Sequence, residues 1–158
     1  MQDLEVVLSY QNPDVVLRFS EDHHVSLADA NEIFIEMKRW LWFSARRLKA
    51  IEAGAENFAI PLFDEVLAID LMWHTFILYT RDYAEFCENM FGFFLHHTPK
   101  SQAEQVAWDL RVSTNAEEAM AERLKDLRKV YESIFNELGP QVLLKWCEEF
   151  PTRFAHFK

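Results

Sequence analysis

The chain has 158 residues and a formal net charge of −10, and half of it is hydrophobic, with fourteen Phe and five Trp. That length suits one domain, residues 1–158, able to bury about two thirds of its unfolded surface without disulfide or metal staples. The acidic balance argues against phosphate backbones and anionic lipid surfaces, which draw their affinity from clustered Lys and Arg. Neither nucleic acid nor a membrane is therefore expected as a partner, whereas a protein partner or homo-oligomer is compatible with the composition.

No sustained alternation of apolar and polar residues occurs, so an all-α bundle of about six to eight helices is expected. Leu4 to Tyr10 and Val15 to Phe19, separated by Asn12-Pro13-Asp14, predict two short helices. Ser26 with Asp29 reads as the capped start of a long helix to about Ala53, with Ile33, Met37, Trp40, Leu41, Leu48 and Ile51 as its apolar stripe. Lys38, Arg39, Arg46, Arg47 and Lys49, interleaved with acidic residues, read as a solvated face of that helix. A loop holding Asn57 and Pro61 leads to a helix from about Leu62 to Tyr79, its apolar face given as Val66, Leu67, Leu71, Trp73, Ile77 and Leu78. Thr80 is read as the cap of the next helix, which turns Tyr83, Phe86, Cys87, Met90 and Phe91 inward and stops at Gly92. Ser101 with Glu104 and Thr114 with Glu117 match the capping box and open two more helices. The second carries Met120, Leu124, Leu127, Tyr131, Ile134 and Leu138 before Gly139-Pro140, and a last short helix holds Trp146, Cys147 and Phe150.

No apolar run approaches the roughly 20 residues that cross a bilayer, and the acidic start lacks the basic residues of a secretory signal, so a cytoplasmic protein is expected. Cys87 and Cys147 lack CxxC or zinc-finger spacing and read as reduced core thiols. Gly-rich phosphate loops, a GxSxG elbow and HExxH are absent, which sets aside kinase, nucleotide-binding and common hydrolase chemistry.

The chemically distinctive stretch runs from Asp70 to His97. Asp70 and His74 are helix neighbours that fall within the apolar stripe and are expected to point inward, where a carboxylate and an imidazole each need a partner. His96 and His97 follow the Gly92 turn. Asp70, His74 and one of the two late histidines would suit zinc, iron or another divalent ion, with the carboxylate as ligand or support. Adjacent side chains diverge, so His96 and His97 are not both expected to join. Trp73, Tyr83 and Cys87 are the candidates for lining a ligand pocket, against a purely structural role in aromatic packing. His23 and His24, beside Glu21 and Asp22, read as a solvated turn.

Asp70-Leu-Met-Trp73-His74, then Tyr83, Cys87, Phe91-Gly92 and His96-His97-Thr98-Pro99, resemble the signature of the glycine-rich domain-containing protein-like family. The resemblance extends more loosely over Ser26 to Pro61. It implies a helical domain without an established reaction, and it carries Asp70, Trp73, His74, Tyr83, Cys87, Gly92 and His97. Two departures stand out: Phe76 replaces a second histidine found in many members, and the glycine-rich tail is absent. Three readings follow. The cluster serves a metal- or small-ligand-binding module, holds helices in register in an interaction scaffold, or belongs to a metal-dependent enzyme whose general base the sequence does not reveal.

Overall fold

Several helix starts are fixed by capping residues that the sequence offers. In the computed structural model, which describes residues 1–55, 66–98 and 101–157, Asn12 accepts a hydrogen bond from the Val15 amide directly before Pro13. This opens α2 (Pro13–His23), after α1 (Leu4–Ser9) has ended at Tyr10. Ser26 caps α3 (Leu27–Glu52) through the Asp29 amide, and Ser101 with Glu104 forms a full capping box on α6 (Gln102–Thr114). Thr80 does not cap: α4 (Leu67–Leu78) and α5 (Thr80–Phe91) meet at Tyr79, with no side-chain cap. Asn115, rather than Thr114, caps α7 (Ala116–Leu138), because its side chain reaches the Glu118 amide while Thr114 bonds back to the Leu110 carbonyl. Then come α8 (Pro140–Leu144), a π-helical turn Lys145–Glu149, α9 (Phe150–Arg153) and a 3-10 turn Ala155–Phe157. The fold is all-α, with no strand among the described residues. None of their helices is long and apolar enough to cross a membrane. The Asn57–Pro61 loop and the expected helix start at Leu62 lie outside the described residues.

The chain folds as two compact units. In the first, built from residues 1–55, 66–95 and 144–157, α3 is the axis against which α1, α2 and α4 pack. Phe76 is fully buried at its centre, with ring centroids of Phe34, Tyr83, Phe86 and Tyr10 at 5.7, 5.2, 5.4 and 5.9 Å. Such edge-on and tilted contacts add to the stabilisation from the apolar area itself. Phe76 is therefore a core residue of this unit.

Because α3 is covered on several sides, part of its basic face is buried, contrary to the solvated face expected. Lys38 is fully buried, its Nζ donating to the carbonyls of Leu8 and Tyr10 at 2.5 and 2.6 Å and lying 5.0 Å from the Phe34 ring centre. The ammonium thus satisfies carbonyls that the end of α1 leaves open. Glu36, also buried, accepts from Trp146 Nε1 at 2.9 Å and Arg39 Nε at 3.1 Å. Lys145 and Arg153 pair with Glu32 at 2.8 and 2.7 Å, and Arg153 also meets Asp29, tying the C-terminal segment to α3. Leu48, expected in the buried stripe, is 39% exposed.

The second unit contains the α6–α7 pair. Trp108 lies beneath the guanidinium groups of Arg111 and Arg123, and Arg111 pairs with Glu122 at 2.9 Å. On α7 the buried line is Ala119, Val130 and Ile134, whereas Met120 and Leu124 of the expected stripe are exposed. The burial direction is rotated away from the most apolar line of the helix.

Burial, with Arg39 as a smaller cause, lowers the Lys38 pKa from its ordinary 10.5 to about 8. Between those values the unfolded chain holds a proton that the folded chain has released, so this group makes stability rise as pH climbs from about 8 to about 10.5. Lys38→Met should lose that rise, and at pH 7 it should cost about 1–3 kcal/mol by leaving the Leu8 and Tyr10 carbonyls unpaired. Urea denaturation of both proteins across the pH range measures each effect, since other alkaline titrations cancel in the difference.

Candidate functional site

On α4 nearly every position is apolar, so the count of apolar residues does not decide which side is buried. Bulk decides it. Ala68, Ile69, Met72, Trp73, Thr75 and Phe76 are buried, while Leu78 is 72% exposed. Asp70 and His74 consequently sit at the edge of the buried face instead of pointing inward as expected. The Asp70 side chain is 16% exposed and that of His74 is 54% exposed. His74 Nδ1 lies 2.8 Å from the Asp70 backbone carbonyl and 3.3 Å from Asp70 Oδ2. With Nδ1–H donating to that carbonyl, the neutral ring carries its lone pair on Nε2, the arrangement that orients a histidine as a metal ligand.

The residues considered for a pocket lining form a buried hydrogen-bonded chain. Trp73 Nε1–H donates to the Tyr83 hydroxyl at 2.9 Å, and that hydroxyl donates to the Leu95 carbonyl at 2.6 Å. Cys87 is fully buried beside them and is a free thiol. Burial pushes its pKa up, and the neighbouring Leu95 backbone and Tyr83 side chain act in the opposite direction to a smaller extent. Burial also pushes the Tyr83 phenol up, with Cys87 adding to the effect, so the hydroxyl stays a donor. Gly92 lets the chain leave α5 in a left-handed conformation, φ 79°, that a side chain would strain. The Tyr83 bond then holds Leu95 in place.

His96 and His97 follow Leu95 directly. Asp70, His74 and His97 each offer one potential ligand atom, and these atoms all lie within 4.8 Å of one another. His96 is exposed and is not among them, as expected for one of two adjacent residues. A carboxylate and two imidazoles are a donor set suited to borderline divalent ions such as zinc or iron(II).

Of the other histidine pair, His24 lies in an exposed turn as expected, whereas His23 does not. The His23 ring packs against Phe19 and Phe157, with centroids 4.4 and 5.4 Å away, and burial lowers its pKa. His24 is the left-handed C-cap of α2. Sequence reasoning missed the C-terminal aromatic hook that meets His23, since Phe154 and Phe157 lie beyond the last periodic stripe.

These features define a helical domain with an Asp-His-His corner carried on a buried Trp-Tyr-Cys frame. A family model described as UCP032817-like matches residues 4–111, and the chain belongs to that family, which is uncharacterised. The matched span includes α1 to α5 and most of α6. No curated protein and no solved structure matches the chain.

Tyr83→Phe should leave the ring packing intact while removing the hydroxyl that serves both Trp73 and Leu95. Two buried polar groups lose their partner, so a loss of about 1–3 kcal/mol in urea unfolding is expected. Hydrogen exchange of the amides around Leu95 should accelerate more than exchange along α3.

Proposed function

We propose that Asp70, His74 and His97 bind a divalent transition metal such as zinc or iron, and that the domain is a metal- or small-ligand-binding module. The observation that carries this reading is the approach of three potential ligand atoms to within 4.8 Å. Donors bound tetrahedrally at about 2.0–2.2 Å stand about 3.4 Å apart, so the group must close slightly around an ion. Its most exposed member, His74, has open space on its solvent side into which to adjust. Three protein ligands leave a coordination position for water or a small ligand, which is also what a metal-dependent enzyme would use. The finer likeness to glycine-rich domain-containing proteins rests on the Asp70–His97 pattern and adds no reaction. The proposal takes the protein to be cytoplasmic, on its acidic composition and its free cysteines.

One observation favours a structural alternative: the His74 ring already has a hydrogen-bond partner within its own helical turn. In that reading the cluster holds the helices in register within an interaction scaffold, and removing it lowers stability without loss of any ligand.

Calorimetric titration of zinc or cobalt into protein made without a histidine tag separates the two. About one ion per chain is expected, with affinity reduced at least about 100-fold in His74→Ala and His97→Ala and little changed in His96→Ala. Binding that is substoichiometric, or indifferent to His74→Ala, overturns the metal reading. A lowered melting temperature of Asp70→Asn and His74→Ala without any metal effect supports the scaffold.

A further inference from the structure

Glu117, Ala121, Leu124 and Arg128 follow one another on α7 at spacings of four, three and four, which on an α-helix is one straight face. All four are exposed, Leu124 at 61%, and Met120 beside them is 48% exposed. Packing within the second unit uses other residues, namely Trp108, Arg111, Glu122 and Arg123. Among the described residues neither Glu117 nor Arg128 has an ion-pair partner. The unit thus presents an apolar strip bounded at one end by an acid and at the other by a base.

The order acid, small, large, base is its own complement when reversed. We propose that this strip of α7 is the contact surface for a second copy of the chain, paired antiparallel about a two-fold axis between Glu122 and Arg123. In that register Glu117 of each copy meets Arg128 of the other, and Leu124 of each lies over Ala121 of the other. Because the two-fold axis repeats every contact, the pair has two ion pairs and two Leu–Ala contacts. The small side chain at Ala121 provides the groove in which the Leu124 ridge sits, allowing close approach of the helices. Parallel pairing would set Glu117 against Glu117 and Arg128 against Arg128, so the charges select the antiparallel arrangement. The strip itself is neutral, which localises association on a chain whose net charge of −10 otherwise opposes it.

One helix face buries less than the roughly 1,200 Å² of a stable complex, so a monomer–dimer equilibrium with a dissociation constant in roughly the micromolar range is expected. Sedimentation velocity of the full chain from about 5 to about 500 μM covers that range. The wild-type chain should show concentration-dependent dimers. Glu117→Arg and Arg128→Glu each convert two attractive contacts into repulsive ones, and each should weaken dimerisation at least about tenfold. The double variant carrying both reversals should recover it. The sharpest arm is a mixture: the two single variants repel themselves but complement each other, so mixing them should yield a heterodimer. Far-UV circular dichroism confirms that each variant is folded. A wild-type chain monomeric throughout the range overturns the proposal. So does a dimer indifferent to the charge reversals, or a mixture that fails to associate.

Discussion

The hydroxyl of Tyr83 joins three buried parts of the chain through one oxygen. It accepts from Trp73 on α4, sits on α5, and donates to the Leu95 carbonyl in the extended segment beyond Gly92. Each of these groups is buried, and a buried polar group without a partner costs free energy comparable to a lost hydrogen bond. One oxygen therefore solves the problem for two helices and a non-helical segment at once. Since His97 follows Leu95 by two residues, at most about 7 Å of extended chain, fixing Leu95 restricts where that imidazole can go. The positioning of a partly exposed corner thus depends on a buried bond, which is how a site at a surface edge acquires precision.

A second dependence runs through α3. A helix packed by other elements around much of its girth has too few solvent-facing positions for its charges, and Lys38 and Glu36 are the result. Both are buried and both are satisfied, Lys38 by the α1 carbonyls and Glu36 by Trp146 and Arg39. These bonds are directional where hydrophobic contact is not, so they specify which segments cover α3 and in what register. The lowered Lys38 pKa shows the cost of that specification in desolvation.

How far the sequence reveals this structure depends on the kind of signal. Caps made by Ser26 and Ser101, the Asn12-Pro13 start and the stop at Gly92 are local, and they are legible because a cap acts within three or four residues. Thr80 and Thr114 mislead for a related reason: a hydroxyl with a capping pattern competes with other local bonds, and Thr114 takes the Leu110 carbonyl instead. The phase of α4 is illegible, because Leu67, Leu71, Ile77 and Leu78 are as apolar as the residues that are buried. Only the tertiary fit of Trp73 and Phe76 sets the face, and with it the edge position of Asp70 and His74. Lys38 is illegible too, since nothing within its helix announces that the end of α1 will lie against it. The Asp70, His74 and His97 grouping is visible as spacing, while the Tyr83 bond to Leu95 that stands behind it is not.

The family match and the structural unit do not coincide, and the difference bears on what each part of the chain does. The match ends at Arg111, after the Asp-His-His corner and its frame. Yet the first unit is completed by residues 144–157, where Trp146 packs at 5.5 Å on Trp40 and donates to Glu36. Without that segment, Glu36 would lose its indole donor and Trp40 would lose an aromatic neighbour, so the matched span alone does not account for the core of the unit that carries Asp70 and His74. The C-terminal segment contributes to that corner by keeping α3 covered. In contrast, the Glu117–Arg128 strip lies wholly beyond the match, and its four residues take no part in the bonds that hold Trp73, Tyr83 and Leu95 together. Ligand binding and self-association would then be separable: changes to the strip leave the Trp-Tyr-Cys frame intact, and changes to His74 leave the strip intact. On these proposals the two properties would vary independently within one chain, because the buried bonds behind the corner are made without the residues of the strip.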